Sequence, residues 1–228
     1  QALAAALDLP VQTRLLDLTA PDWAGPPADL ALMMNVVNEL PATADAGLVA
    51  LLDRLVSPDG FALALEPAAA EPSRRALALR DALVAGGWHA HLPCPHSRPC
   101  PALAAGDWCH AAWAFERPAF MAAVDRAVGT RRDLLQATWF AVSRATPQGR
   151  VDARVVAEPR REKGRTRARV CLADGSLTHL ELQKRDRSPE NIAFNDAELH
   201  AGLRFTGADP AGHDTLRLPP GGAVEVLP

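Results

Sequence analysis

The chain has 228 residues, of which 48% are hydrophobic, enough to bury one large core or two modest ones. Its 24 Lys and Arg stand against 27 Asp and Glu, so the net charge of −3 excludes a globally basic nucleic-acid binder, and any such surface has to be local. No apolar run approaches a membrane span and no signal sequence is visible; with arginine and alanine abundant, a cytoplasmic bacterial protein is expected.

The chain opens on QALAAALDL as if in mid-helix, which suggests a preceding N-terminal portion. Residues 11–18 alternate and predict a strand with Asp17 at its carboxyl edge. Residues 29–37, DLALMMNVV, form a short apolar run of the kind buried on both faces of a parallel sheet, followed by Asn38, Glu39, Leu40 and Pro41. A helix is predicted over 44–56, a turn over 57–60, and a strand over 61–65 ending at Glu66 and Pro67. A second helix over 74–85 stops at Gly86 and Gly87, and a strand over 88–92 follows.

Alternating strands and helices predict an α/β fold with a doubly wound sheet, whose ligands sit at the carboxyl ends of the strands. Asp17, Asn35, Asn38, Glu39 and Glu66 lie near those ends and are candidate cofactor-binding residues. Polar residues also end strands and cap helices without binding anything. No G-x-G-x-x-G loop occurs, so a nucleotide-type site is incomplete within this chain.

Three of the four cysteines then fall within one stretch, LPCPHSRPCPALAAGDWCHAAW. Cys94 and Cys100 are separated by five residues and Cys100 and Cys109 by eight; Cys171 follows from a predicted strand. Thiolates are soft donors, and four suffice for zinc or an iron-sulfur cluster. Zinc knuckles usually bring a Cys-x-x-Cys pair, absent here, and the wider loops and the prolines after Cys94 and Cys100 favour 4Fe-4S over zinc. Small buried apolar cysteines, or two disulfides, are the plainer alternatives. His96 and His110 beside the cysteines read as hydrogen-bonding neighbours before ligands.

A helix is predicted over 120–127 and a strand over 137–143. Arg144, Arg150, Arg154, Arg160, Arg161, Lys163, Arg165, Arg167 and Arg169 then face only Asp152, Glu158 and Glu162, an excess that suits either a phosphate backbone or a solvated strand face. Strands over 168–172 and 177–183 flank Asp174-Gly175, a hairpin signal that puts Cys171 on a rigid support; Lys184, Arg185 and Arg187 extend the basic surface. From Gly207 onward the chain reads as a closing hairpin or a loose tail.

The strand ending NVVNELP, the strand ending LEP, the stretch PCPHSRPCP with DWCH, and the distant cysteine strand together resemble the Rsm22-type, methyltransferase-like family of the ribosomal small subunit. The resemblance covers most of the chain up to about residue 200. It implies a partial class I S-adenosylmethionine-dependent methyltransferase-like, Rossmann-like sheet over 1–92, a cysteine-rich insertion and helix over 93–135, a β-rich basic domain over 136–205, and a tail over 206–228. It further implies a 4Fe-4S cluster on Cys94, Cys100, Cys109 and Cys171, and a monomer contacting small-subunit rRNA and ribosomal proteins. Arg160, Arg161, Lys163, Arg165, Arg167, Lys184 and Arg185 become the expected rRNA contacts. The family's glycine-rich loop for S-adenosylmethionine is expected before Gln1, and Ala68 to Ala70 stand where glycine and threonine are usual. A cluster-bearing, rRNA-binding assembly factor is the leading expectation; an active rRNA methyltransferase and a structural zinc protein are the alternatives.

Overall fold

The computed structural model describes residues 10–131 and 133–227, so the expected helix at the start lies outside the described residues. The first sheet begins with β1 (Ala28–Met34), and a short 3-10 turn at Val37–Glu39 leads toward α1 (Asp45–Leu55). Then come β2 (Val56–Pro67), α2 (Ala70–Ala85) and β3 (His89–Leu92). The cysteine stretch contributes one helical turn, α3 (Pro101–Ala104), and β4 (Ala111–Ala114). After α4 (Ala119–Ala127) the chain returns through β5 (Leu134–Ser143).

The strand order is β1-β2-β5-β3, with β4 pairing β5. β1 and β2 are parallel, as a crossover through α1 requires, and β5 runs antiparallel to β2, β3 and β4. The residues expected as a turn over 57–60 are absorbed into β2, where the register slips from Ala28 opposite Val56 to Leu30 opposite Phe61. Met33, Leu48, Leu52, Leu79, Leu83, Trp88 and Phe140 close the core on the helix side, and the Trp88 indole donates to Asp53 at 2.7 Å.

Two strand expectations are corrected. Residues 11–18 form no strand: Leu15 is exposed, and Asp17 instead accepts bonds from the Thr19 amide and hydroxyl at 2.8 and 2.7 Å. Alternation specifies a strand only where a neighbour offers a ladder, and none among the described residues does. β1 is not buried on both faces either. Ala31 and Met33 point into the core, while Leu30, Leu32 and Met34 are 54–57% exposed on the face that no described helix covers.

The second sheet is made of β6 (Ala153–Val155), β7 (Arg160–Glu162), β8 (Arg165–Leu172), β9 (Leu177–Gln183), β10 (Gly202–Thr206), β11 (Asp209–Pro210), β12 (Thr215–Leu218) and β13 (Ala223–Leu227). Its order is β11-β12-β9-β8-β6-β10-β13, with β7 on the free part of β8. Val155, Val170, Leu180, Leu182, Phe194, Leu203 and Leu218 are its buried centre. The β8–β9 hairpin turns at Asp174 and Gly175, the glycine at φ +87°, as the dipeptide predicts. The boundary between the sheets differs from the expected one. β5 belongs to the first sheet because its apolar residues pair on both sides there, and of the hairpin or loose tail expected beyond 206 the hairpin is found, β11 with β12, while β12 also pairs β9 and β13 pairs β10.

Phe140 is fully buried between the neighbours of β5, so Phe140→Ala is expected to cost about 3–5 kcal/mol in denaturant unfolding, against about 0.5 kcal/mol for exposed Leu32→Ala. Equal losses would contradict the one-sided core.

Candidate metal centre

The cysteine stretch runs against α2, and two adjacent residues of that helix hold it. Arg80, with no exposed surface, donates through Nη2 to the His96 carbonyl at 2.6 Å and through Nη1 to the Arg98 carbonyl and to Asp81. The Asp81 carboxylate accepts the Cys100 amide at 2.8 Å. Helix spacing put Arg80 among Ala76, Leu79 and Leu83 on the buried face, a signal that sequence reasoning passed over. Cys109 precedes β4, and its carbonyl accepts the Thr138 hydroxyl of β5 at 2.8 Å. Cys171 sits on β8, opposite Arg154 of β6 and Leu177 of β9.

All four cysteines line one cavity of about 220 Å³, three supplied by the first sheet and its insertion and one by the second sheet. Among the described residues, no three Cys, His, Asp or Glu side chains converge closely enough to hold a single metal ion. The thiols stand round a space instead of meeting at a point. Burial, then repulsion from Cys94 and Cys100, pushes the Cys171 thiol up to about 12 and raises Cys109 further. Cys100 is also raised, by burial first. Burial alone would lower the Arg80 guanidinium, but the Cys94 thiol, Asp81 and Cys100 together outweigh it and hold the charge in place.

His96 is a neighbour of defined tautomer. Its Nδ1 accepts the Arg98 amide at 3.1 Å, so the ring proton is on Nε2, which donates to Cys171 Sγ at 3.3 Å. Burial, Arg80 and Arg150 lower its pKa to about 4, which keeps the ring neutral. His200, unnoticed in the sequence, also lines the cavity; its Nε2 donates to the His110 carbonyl at 2.9 Å, leaving Nδ1 a lone pair without partner among the described residues. Arg80 Nε, Trp108 Nε1 and Trp139 Nε1 are buried N–H groups on residues that line the same cavity, also without an acceptor among the described residues. A dense set of thiols and unpaired donors fits an electron-rich, sulfur-containing group.

The candidate cofactor residues are placed differently. Asn35, Asn38, Glu39 and Glu66 come together at the carboxyl ends of β1 and β2, whereas Asp17 lies apart from them in the loop before β1. Asn35 takes a left-handed conformation at φ 56°. Glu66 is fully buried and accepts the amides of Val36, Val37 and Asn38 at 2.9, 2.8 and 3.3 Å, so both its oxygens organise the turn after β1.

The basic residues divide into two groups. Arg161 donates to the carbonyls of Asn195 and Ala197 at 2.8 and 2.6 Å, Arg165 pairs with Glu162 and Glu181, and Arg167 reaches Thr215 and Asp214. Arg160, Lys163, Lys184 and Arg185 are exposed, with no side-chain partner among the described residues. Lys163 and Lys184 sit at the same end of β8, where the Lys184 amide bonds the Gly164 carbonyl at 2.8 Å.

The fold and this site define a two-sheet α/β protein with a four-cysteine cavity at the junction of its sheets. The family model described as mitochondrial small ribosomal subunit Rsm22 matches residues 12–202, and the chain belongs to that family, which associates it with the small ribosomal subunit. No curated protein matches it.

In reduced, metal-free protein the folded state holds Cys171 protonated where the unfolded chain releases the proton. Stability from this group is full below the ordinary value of 9.0 and is lost as the pH rises toward about 12. Thermal melts across that window are expected to fall steadily, less steeply in Cys171→Ser; a flat profile would contradict a buried thiol.

Proposed function

We propose that this chain is a 4Fe-4S-bearing, rRNA-binding factor of small-subunit assembly, in which a methyltransferase-like sheet serves as a platform. The observation that carries the reading is the cavity that takes Cys94, Cys100 and Cys109 from one unit and Cys171 from the other. Such a cluster would be held by these four thiolates, and when bound it supplies a compact cross-link whose redox state and stability depend on its surroundings. The absence of a Cys-x-x-Cys pair and the prolines after Cys94 and Cys100 favour the wider group over a single zinc ion.

The parallel pair β1 and β2 with the antiparallel β5 inserted before β3 supports a partial class I methyltransferase-like sheet. Methyl transfer itself has less support. Transfer needs donor and acceptor aligned in a built cleft, and Glu66 is committed to three backbone amides. For rRNA, the unpaired side chains of Arg160, Lys163, Lys184 and Arg185 offer mobile charge to a phosphate backbone, while Arg161, Arg165 and Arg167 are engaged within the protein.

Cys171→Ser is expected to lower iron content and to speed limited proteolysis between the sheets; iron and cleavage equal to wild type would contradict the shared site. The triple reversal K163E/K184E/R185E is expected to weaken binding to small-subunit rRNA and to reduce the salt slope by roughly 0.7–0.9 per lost phosphate contact. Arg161→Ala is expected to act on stability instead, by about 0.5–1.5 kcal/mol, because it removes two hydrogen bonds to loop carbonyls at a half-exposed site. Salt-independent RNA binding would remove the basic edge from the interface.

A further inference from the structure

Each indole N–H is a donor with no acceptor capacity, and a buried N–H left unpaired is a cost to the folded state. Trp108 Nε1, Trp139 Nε1 and Arg80 Nε are in that condition, and all three residues line the four-cysteine cavity. They arrive from three separate places: α2, the loop between α3 and β4, and β5. Arg80 and Trp108 are held independently of any occupant. The other two Arg80 nitrogens are tied to Asp81 and to the carbonyls of His96 and Arg98, and the Trp108 ring lies under the Arg74 guanidinium at 5.2 Å. Three unpaired donors on residues that line one cavity are a local cost that an acceptor-rich guest would remove.

We propose that Arg80, Trp108 and Trp139 are positioning donors whose N–H groups hydrogen-bond the sulfur atoms of the cluster and hold its reduction potential up. The role rests on the cavity being a cluster site. The sulfides and thiolates of a four-cysteine cluster are its outward-facing acceptors, and their negative charge grows when the cluster gains an electron. A donor facing such a sulfur stabilises the reduced state more than the oxidised one, and the guanidinium adds a fixed positive charge in surroundings of low dielectric.

The test is a redox titration of the full chain, purified without oxygen, beside Trp108→Phe, Trp139→Phe and Arg80→Lys, with iron measured on each sample. Trp113→Phe is the control, since Trp113 is exposed and lies off the cavity wall. The Trp108→Phe and Trp139→Phe proteins are expected to keep their iron. At a fixed applied potential, the ratio of reduced to oxidised cluster is expected to fall about tenfold for each donor lost, about 59 mV in a one-electron couple. The control is expected to stay at the wild-type midpoint. Because a core tryptophan variant can fail to fold, the wild-type chain is also labelled with ¹⁵N in its tryptophan indoles. Pulsed EPR of its reduced cluster is expected to show coupling to that nitrogen. Iron-loaded variants at the wild-type midpoint, or no ¹⁵N coupling, overturn the donor role while leaving the cluster in place. A wild-type chain that takes up no iron overturns the cluster reading and the donor role together.

Discussion

Four thiols gather round one cavity at the junction of the two sheets, and much of this protein is arranged around that constraint. Burial and mutual repulsion push Cys100, Cys109 and Cys171 toward the neutral form. Arg80 is the fixed cation nearest the problem, drawn into a position with no exposed surface because its guanidinium is met by Asp81 and two loop carbonyls. A group carrying several positive metal centres would reverse the sign of the whole arrangement, with Cys94, Cys100, Cys109 and Cys171 as its thiolate ligands.

The same cavity explains how two sheets with separate cores become one object. Arg154 of β6 donates to the Pro93 carbonyl at 3.1 Å and to the His200 carbonyl at 2.5 Å, and Arg150 reaches Ser97 at 2.7 Å. Arg169 of β8 pairs with Asp107 at 3.4 Å, and His96 meets Cys171. These polar ties converge on the cysteine stretch from the second sheet, so arginines that looked like a nucleic-acid tract in sequence serve partly as struts. Those left unpaired, at the outer end of β8 and β9, are the ones free to meet a partner.

Local signals in the sequence read well where a short-range rule decides the outcome. The β1–α1–β2 unit followed from its periodicity and the β8–β9 hairpin from Asp174-Gly175. Readings failed where a distant partner decides. Residues 11–18 alternate like a strand but find no ladder; β5 is claimed by the first sheet through pairing with β2 and β3; and the final strands are recruited by β9 and β10. Glu66 could be placed near a cleft from its strand-end position, yet its service to three amides depends on the turn after β1. Trp108 stood within the DWCH signature without being read as a site residue, Trp139 and His200 carried no motif, and only the meeting of the sheets gives the three a common neighbour.

The most direct measurement is the metal and acid-labile sulfide content of the anaerobically purified chain, read with its visible absorption spectrum. A cluster on the four cysteines should give about four irons and four sulfides per chain and a brown chromophore. One zinc without colour, or a metal-free chain, would contradict the claim that this cavity is built for an iron-sulfur group.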